Sequence, residues 1–161
     1  MELPIPSHLH EVFVPDGEQN TEQQVTGHIR CTCGCEHFQV QESGGRQRVR
    51  LICTQCGREI LLFDAAKHGW DGFVCGIVPP AENAPFAVHR CRACGGASFA
   101  VQVRIESAGK HDFLEFLAHG GSCGCSFEPR EWVDAFGWIR ASLRCANCGR
   151  SEKSWLDEET S

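Results

Sequence analysis

The chain has 161 residues, twelve cysteines and a formal net charge of −6. This length allows one domain of ordinary size or two small ones, and no apolar run is long enough to span a membrane. The acidic balance disfavours non-specific binding to nucleic acid, which depends on clustered Lys and Arg.

The cysteine pattern indicates metal binding rather than a secreted disulfide scaffold. Four pairs of cysteines are separated by only one or two residues, and a glycine follows each pair. Residues 1–30 also lack the apolar core of a signal peptide, so we expect a cytoplasmic protein with reduced thiols.

Residues 1–27 are predicted to form an N-terminal segment with one short helix. Ser7 is a candidate N-cap for a helix over His8–Phe13, and Pro15-Asp16-Gly17 would end that helix. His8 and His10 would not face the same side of a helix, so we expect both in solvent.

Residues 28–76 are predicted to form a first zinc ribbon. Its four zinc ligands come in two pairs, Cys31 with Cys33 and Cys53 with Cys56. Each pair lies on a tight turn that brings two sulfurs to one side, and four thiolates complete a tetrahedral shell. Cys35 lies so close to Cys33 that it is an alternative ligand in place of Cys31.

Three antiparallel strands are predicted around these cysteines. Phe38–Gln41 alternates apolar and polar residues, Arg46–Ile52 returns after a Ser-Gly-Gly turn, and Glu59–Phe63 forms the third strand. Three arginines on one face of the second strand form a candidate anion-binding face. The alternative is a solvated edge-strand face that discourages aggregation. These arginines are Arg46, Arg48 and Arg50.

The segment His68-Gly69-Trp70-Asp71-Gly72 is the most site-like part of the chain outside the cysteines. An imidazole and a carboxylate on a tight loop could grip a ligand or perform acid–base chemistry. The alternative is that His68 and Asp71 hydrogen-bond the loop backbone while Trp70 packs on a sheet.

Residues 77–88 contain three prolines and are predicted to link the first ribbon to a second one at residues 89–161. The predicted ligands of the second ribbon are Cys91, Cys94, Cys145 and Cys148.

A helical insertion at about 106–136 separates the two halves of the second ribbon. Phe113, Phe116 and Leu117 follow helical spacing and predict a short amphipathic helix over Asp112–Ala118. A second short helix starts at Pro129. We expect the apolar faces of both helices to pack on the sheet of the second ribbon. The apolar residues of the second helix are Trp132, Val133 and Phe136.

The two ribbons match each other in sequence, which indicates an internal duplication. Cys94-Gly95 with Phe99 repeats Cys33-Gly34 with Phe38, and Cys145-Ala146-Asn147-Cys148-Gly149 repeats Cys53-Thr54-Gln55-Cys56-Gly57. The predicted fold is therefore small, mainly β and metal-stabilised. It consists of two tandem three-stranded antiparallel zinc ribbons, and the helical insertion makes the second one α+β.

These motifs, together with the opening Ile5-Pro6-Ser7-His8-Leu9 and the ending Trp155-Leu156-Asp157, resemble a group of uncharacterised bacterial tandem zinc-ribbon proteins. The resemblance covers most of the chain. It implies the fold and the metal, and it implies no activity.

A shell of four thiolates leaves zinc no open position for water or substrate, so we expect two structural Zn²⁺ ions and no enzymatic activity. Iron would fit the same four thiolates, but nothing else in the chain indicates electron transfer. The expected role is a protein-interaction or adaptor module. The alternatives are a nucleic-acid-associated protein and a thiol redox or metal-sensing role.

Four cysteines remain outside the two predicted sites: Cys35, Cys75, Cys123 and Cys125. Cys123-Gly124-Cys125 fits spare thiols, a redox pair or half of a third metal site. A third site would need further ligands, such as Cys75 or His119.

Overall fold

The computed structural model describes residues 1–70, 84–120 and 127–160. In this part of the chain the structure is mainly β, and all paired strands are antiparallel. The strands are β1 (Phe13–Pro15), β2 (Gln24–Ile29), β3 (Phe38–Ser43), β4 (Arg48–Cys53), β5 (Glu59–Asp64), β6 (Ala87–Val88), β7 (Phe99–Glu106), β8 (Trp138–Cys145) and β9 (Ser151–Glu159). The helices are the α-helix α1 (Lys110–Ala118) and the 3₁₀ helices Ser7–Leu9 and Pro129–Val133. None of the described helices is long and apolar enough to cross a membrane.

Strand β7 joins the two parts of a curled sheet. It pairs along its whole length with β8, and β8 pairs with β9 on its other side. The opposite edge of β7 pairs with β2, while its first residue, Phe99, pairs with Phe38 of β3. Strand β3 continues the sheet to β4 and β5 and also pairs with β6.

One hydrophobic core lies on the inner face of this sheet. Burial alternates residue by residue along β2, β4 and β8, as expected for strands with one covered face. Val25, Leu51 and Leu143 are therefore buried with the same core, although they come from distant parts of the chain. The outer face of the same strands carries mostly polar side chains, such as Thr26, Arg50 and Ser142.

The N-terminal segment differs from the prediction. The predicted helix over His8–Phe13 is reduced to the 3₁₀ turn Ser7–Leu9. Its N-cap position is taken by Pro6 rather than Ser7, and no side chain caps it. Instead, the backbone N–H and the hydroxyl of Ser7 each donate to the carboxylate of Asp134 at 2.7 Å. Strand β1 follows directly, because Phe13–Pro15 pairs with β2.

The segment predicted as a linker also contains paired backbone. Ala87 and Val88 form β6 on the edge of β3, so the end of this segment belongs to the sheet. Residues 77–83 of the predicted linker lie outside the described residues.

A small second core forms around α1. Phe113, Trp132 and Ala135 are buried together, with Trp70 and Leu117 packed against them. The prediction that these helices pack on the sheet is right for Phe136, which joins the main core. It is wrong for Phe113, Trp132 and Val133, which belong to the second core. The reason is that Trp70 and its neighbours offer Phe113 an aromatic surface of their own.

Candidate metal centres

Four sulfurs meet at the end of the β3–β4 hairpin. One ligand atom from each of Cys31, Cys33, Cys53 and Cys56 lies within 4.8 Å of the other three. The Sγ atoms of Cys31 and Cys56 are 3.6 Å apart, and so are those of Cys33 and Cys53. Two of the four side chains are buried and two are exposed, so the cluster lies at the surface with its inner half in the core.

A second cluster of four sulfurs forms at the end of β8. Cys91, Cys94, Cys145 and Cys148 satisfy the same 4.8 Å criterion. The distance between Sγ atoms is 3.5 Å for Cys91 and Cys148 and 3.6 Å for Cys94 and Cys145. The structure thus brings together both sets of cysteines that the sequence pairs suggested.

The C-x-x-C-G turns are built in the same way in both clusters. Gly57 N–H donates to the Cys53 carbonyl at 2.9 Å, and Gly149 N–H donates to the Cys145 carbonyl at 2.9 Å. These glycines have φ angles of +74° and +77°, in the left-handed region that other residues reach only at a cost. The glycine after each pair is therefore required to close the turn.

The strands fix the positions of the C-x-x-C-G turns. Cys53 ends β4 opposite Phe38, and Cys145 ends β8 opposite Phe99. The upstream turn of each cluster is also closed by a glycine, since Gly34 and Gly95 donate to the carbonyls of the first cysteines. The downstream turn of each cluster is thus held by a strand of the sheet. The upstream turn is held by its own hydrogen bonds, in which Cys31 N–H donates to the Cys35 carbonyl and Cys91 N–H donates to the Gly96 carbonyl.

The sulfur positions fit a four-coordinate metal ion. A tetrahedral shell with Zn–S bonds of about 2.3 Å places neighbouring sulfurs about 3.8 Å apart. The closest distances between sulfurs, 3.5 to 3.6 Å, are near this value and far from a disulfide bond of about 2.05 Å. None of the nine cysteines in the described part of the chain forms a disulfide.

The thiol pKa values show how crowded the second cluster is. Hydrogen bonds from the Asn147 side chain and the Gly96 backbone lower the pKa of Cys94 to about 6. A backbone hydrogen bond from Arg150 lowers the pKa of Cys148, but the contacts of this thiol with the other three sulfurs of the cluster, together with burial, outweigh that effect and raise the pKa to about 11. Four sulfurs this close cannot all lose their protons near neutral pH unless a cation compensates their charge.

The same conflict is present in the first cluster. Burial raises the pKa of Cys31, but hydrogen bonds from the Cys33 backbone and from the neighbouring thiols outweigh burial and lower the pKa to about 7. A backbone hydrogen bond from Cys35 lowers the pKa of Cys33. Burial and the contacts with the other three sulfurs outweigh it and raise this pKa to about 12. The donor set in both clusters therefore suits a divalent cation that binds thiolates.

Asn147 influences the second cluster, and its sequence position did not predict this. Its side-chain amide, in the opposite C-x-x-C turn, is the largest cause of the lowered pKa of the Cys94 thiol. The signal was available, because an amide donor stands next to Cys148 in the motif. The partner sulfur could not be assigned, since it lies 53 residues upstream in the sequence.

Cys35 lies beside the first cluster and outside its set of four. Its Sγ is 3.6 Å from the Thr54 hydroxyl and 3.4 Å from the His37 carbonyl. Cys31 occupies the place in the cluster for which Cys35 was the alternative. The predictions for Cys75, Cys123 and Cys125 lie outside the described residues.

The arginine face of β4 is covered. Arg46 precedes the strand at a φ of 70°, stacks 4.5 Å from the ring centre of Trp155 and donates to its carbonyl. The guanidinium groups of Arg48 and Arg50 lie over the ring of Phe86, at 5.1 and 3.9 Å. Each of the three arginines also forms an ion pair with a carboxylate. They are thus neither a solvated face nor an open row of cations.

The His68 loop is held by backbone and ring contacts. Nδ1 of His68 accepts a hydrogen bond from the backbone N–H of Asp64 at 3.0 Å, and its ring stacks on His8 at 3.7 Å. Trp70 packs edge-on to Phe116 at 4.9 Å rather than on the sheet. Asp71, the third residue of the predicted ligand loop, lies outside the described residues.

Comparisons with protein-family models, with curated proteins and with solved structures found no match to this chain.

Proposed function

We propose that the eight clustered cysteines hold two Zn²⁺ ions and that these ions are structural. The observation that carries the proposal is the convergence of four sulfurs at each of two sheet ends, at distances near those of a tetrahedral shell. Four protein thiolates fill that shell, so water and substrate have no position on the metal. Zinc is preferred to iron because nothing else in the chain points to electron transfer.

The finer architecture that we propose is a pair of tandem zinc ribbons related by duplication. Three antiparallel strands serve each cluster: β3, β4 and β5 for the first, and β7, β8 and β9 for the second. The matched glycine turns after Cys53 and Cys145 support a common origin of the two units.

The role that best fits a protein with closed metal shells is binding to another protein, as an adaptor in the bacterial cytoplasm. The nucleic-acid-associated alternative gains no support from the arginines of β4, because their guanidinium groups are already engaged by aromatic rings and carboxylates. A thiol redox role would have to use cysteines outside the two clusters.

Cobalt substitution tests the metal proposal. Apoprotein prepared under reducing conditions and titrated with Co²⁺ should develop the intense absorption bands of tetrahedral cobalt thiolate and saturate at two ions per chain. Near-ultraviolet circular dichroism followed in the same titration should recover native-like signal only as the metal binds. Full native signal before any metal is added would contradict a structural role.

The adaptor role is tested by co-purification from the native host. The metal-loaded protein should elute in a complex of fixed stoichiometry with one partner protein. A chain that remains free at all concentrations tested in such extracts would contradict this role.

A further inference from the structure

A groove crosses the outer face of the sheet over β2, β7, β8 and β9. Its volume is about 580 Å³, which lies in the range of sites for small molecules. The floor is the row of outward-facing side chains on β7 and β8, including Ala100, Gln102 and Ser142. No role in the two cysteine clusters accounts for this surface.

The groove is basic although the chain is acidic. Four basic side chains line it, against one carboxylate, that of Asp16. That carboxylate already accepts a hydrogen bond from His28 at 2.7 Å. The basic residues are Arg104, Arg140, Arg144 and Lys153. In a chain with a net charge of −6, this is a local concentration of positive charge.

The positive charge is compensated at one end of the groove and uncompensated at the other. Arg140 pairs with Glu106 at 2.8 Å and with Asp157 at 3.1 Å, and Arg104 also reaches Glu106, at 3.0 Å. Among residues 1–70, 84–120 and 127–160, no carboxylate forms an ion pair with Arg144 or Lys153.

A strained bulge in β9 lies in the groove wall beside this uncompensated end. The pairing of β8 with β9 jumps from Ala141 opposite Leu156 to Leu143 opposite Glu152, which leaves extra residues in β9. Ser154 in this bulge has a φ of 50°, and its N–H donates to the Ser142 hydroxyl at 3.0 Å. Bulges re-aim side chains, and left-handed non-glycine residues cluster at ligand sites.

We propose that the groove binds a phosphate-bearing ligand of about nucleotide size. Its phosphate would lie between Arg144 and Lys153. There a guanidinium fork and an ammonium group line the groove together with the hydroxyl-bearing residues Ser151 and Ser154. Phosphate has several acceptor oxygens and so uses such a mixed set of donors better than a carboxylate does.

The rest of the ligand would extend along β8 toward Arg140. Arg140 and Arg144 are four residues apart on one face of the strand, about 13 Å at the rise of an antiparallel strand. The carboxylates around Arg140 make that end suitable for a polar, uncharged group such as a sugar or base. A ligand with charge at one end only therefore fits the groove.

Titration of zinc-loaded protein with AMP and UMP, followed by amide NMR shifts at low salt, tests this proposal, with adenosine as the phosphate-free control. Both nucleotides should shift the signals of Ser142, Arg144 and Ser154, and adenosine should not. The double variant R144Q/K153Q should bind at least about tenfold more weakly. The control K67Q/R130Q, which removes the same charge from exposed positions elsewhere, should bind within about twofold of wild type.

A uridine oligonucleotide of about twelve residues identifies the source of the phosphate. Binding about tenfold tighter than UMP through the same residues would assign the groove to a nucleic-acid strand, whereas equal affinity would assign it to a free nucleotide. Nucleotides that shift no groove signals, or equal weakening in both double variants, would overturn the proposal. Both outcomes are independent of the metal content, which is measured separately.

Discussion

The two stacked histidines, His8 and His68, join the N-terminus to the loop that follows β5. Their rings lie 3.7 Å apart at an angle of 12°, and His8 Nε2 donates to the Leu62 carbonyl at 2.9 Å. Burial lowers the pKa of both imidazoles, that of His68 to about 3, helped by the positive charge that His8 would carry. Both rings are therefore neutral in the folded protein at neutral pH.

This burial predicts a loss of stability in mild acid. The folded pKa of His68 lies below the unfolded value of about 6.5, so unfolding takes up a proton between those two values. The contribution is complete above about pH 6.5 and is lost as the pH falls toward 3. Between pH 7 and pH 5 the free energy of unfolding should fall by about 2 kcal/mol through His68 alone.

The H68N variant isolates this effect from acid titration of the thiolates. Asn can accept the hydrogen bond from the Asp64 backbone but does not titrate, so its unfolding free energy should depend less steeply on pH than that of wild type. Urea unfolding at several pH values measures both slopes. Parallel curves for the two proteins would contradict the account of His68.

The eight clustered cysteines were predictable at the residue scale, whereas the histidine pair was not. The C-x-x-C-G turn is local, so the spacing of Cys53 and Cys56 already places two sulfurs on one side. His8 and His68 meet across 60 residues of sequence, and no periodicity links them. The expectation that His8 lies in solvent was wrong for this reason.

At the scale of single elements, β2 was missed because Gly27 interrupts its apolar pattern. The burial of Val25 and Ile29 alternates correctly, but glycine has a low propensity for strands. The structure explains the glycine, because an added Cβ would overlap the Val14 carbonyl and the ring of Phe13. Close approach of β1, rather than a turn, requires glycine here.

Gly27→Ala should therefore separate β1 from β2. We expect a loss of about 3 kcal/mol in unfolding free energy, since neither the backbone nor the ring can move away freely. The control G17A has a φ of +72° but nothing within 4 Å of an added Cβ, so it should cost only about 1 kcal/mol. Equal costs in chemical denaturation would contradict the overlap.

Phe113→Ala should loosen the small second core without disturbing the metal clusters. Phe113 is buried against Trp132, whereas Leu114 on the same helix is 37% exposed. Removing the buried ring should cost about 3 kcal/mol, and the control L114A less than about 1 kcal/mol. Hydrogen exchange would measure the local opening of α1.

The zinc content of F113A and of its control L114A provides a second measurement. Both should retain two zinc ions per chain, because none of the eight clustered cysteines is among the described residues of the second core. Loss of zinc in F113A alone would show that the second core and the clusters unfold together.

At the scale of the whole molecule, the sequence predicted the mainly β character and the strands next to the cysteines, because both follow from local alternation. It did not predict how the sheet is joined. The pair Phe38 and Phe99 and the pairing of β2 with β7 connect segments that lie far apart in the chain. Such contacts depend on which faces are buried together, and single-sequence patterns do not record this.

We propose that eight thiolates hold two metal ions and that these ions stabilise the whole sheet. The most direct test of this proposal is the number of zinc ions per chain, measured by inductively coupled plasma mass spectrometry on protein purified under reducing conditions from cells. We expect two zinc ions per chain, one for each four-cysteine cluster. Metal-free protein that keeps its native circular dichroism, or a count of three, would contradict this proposal.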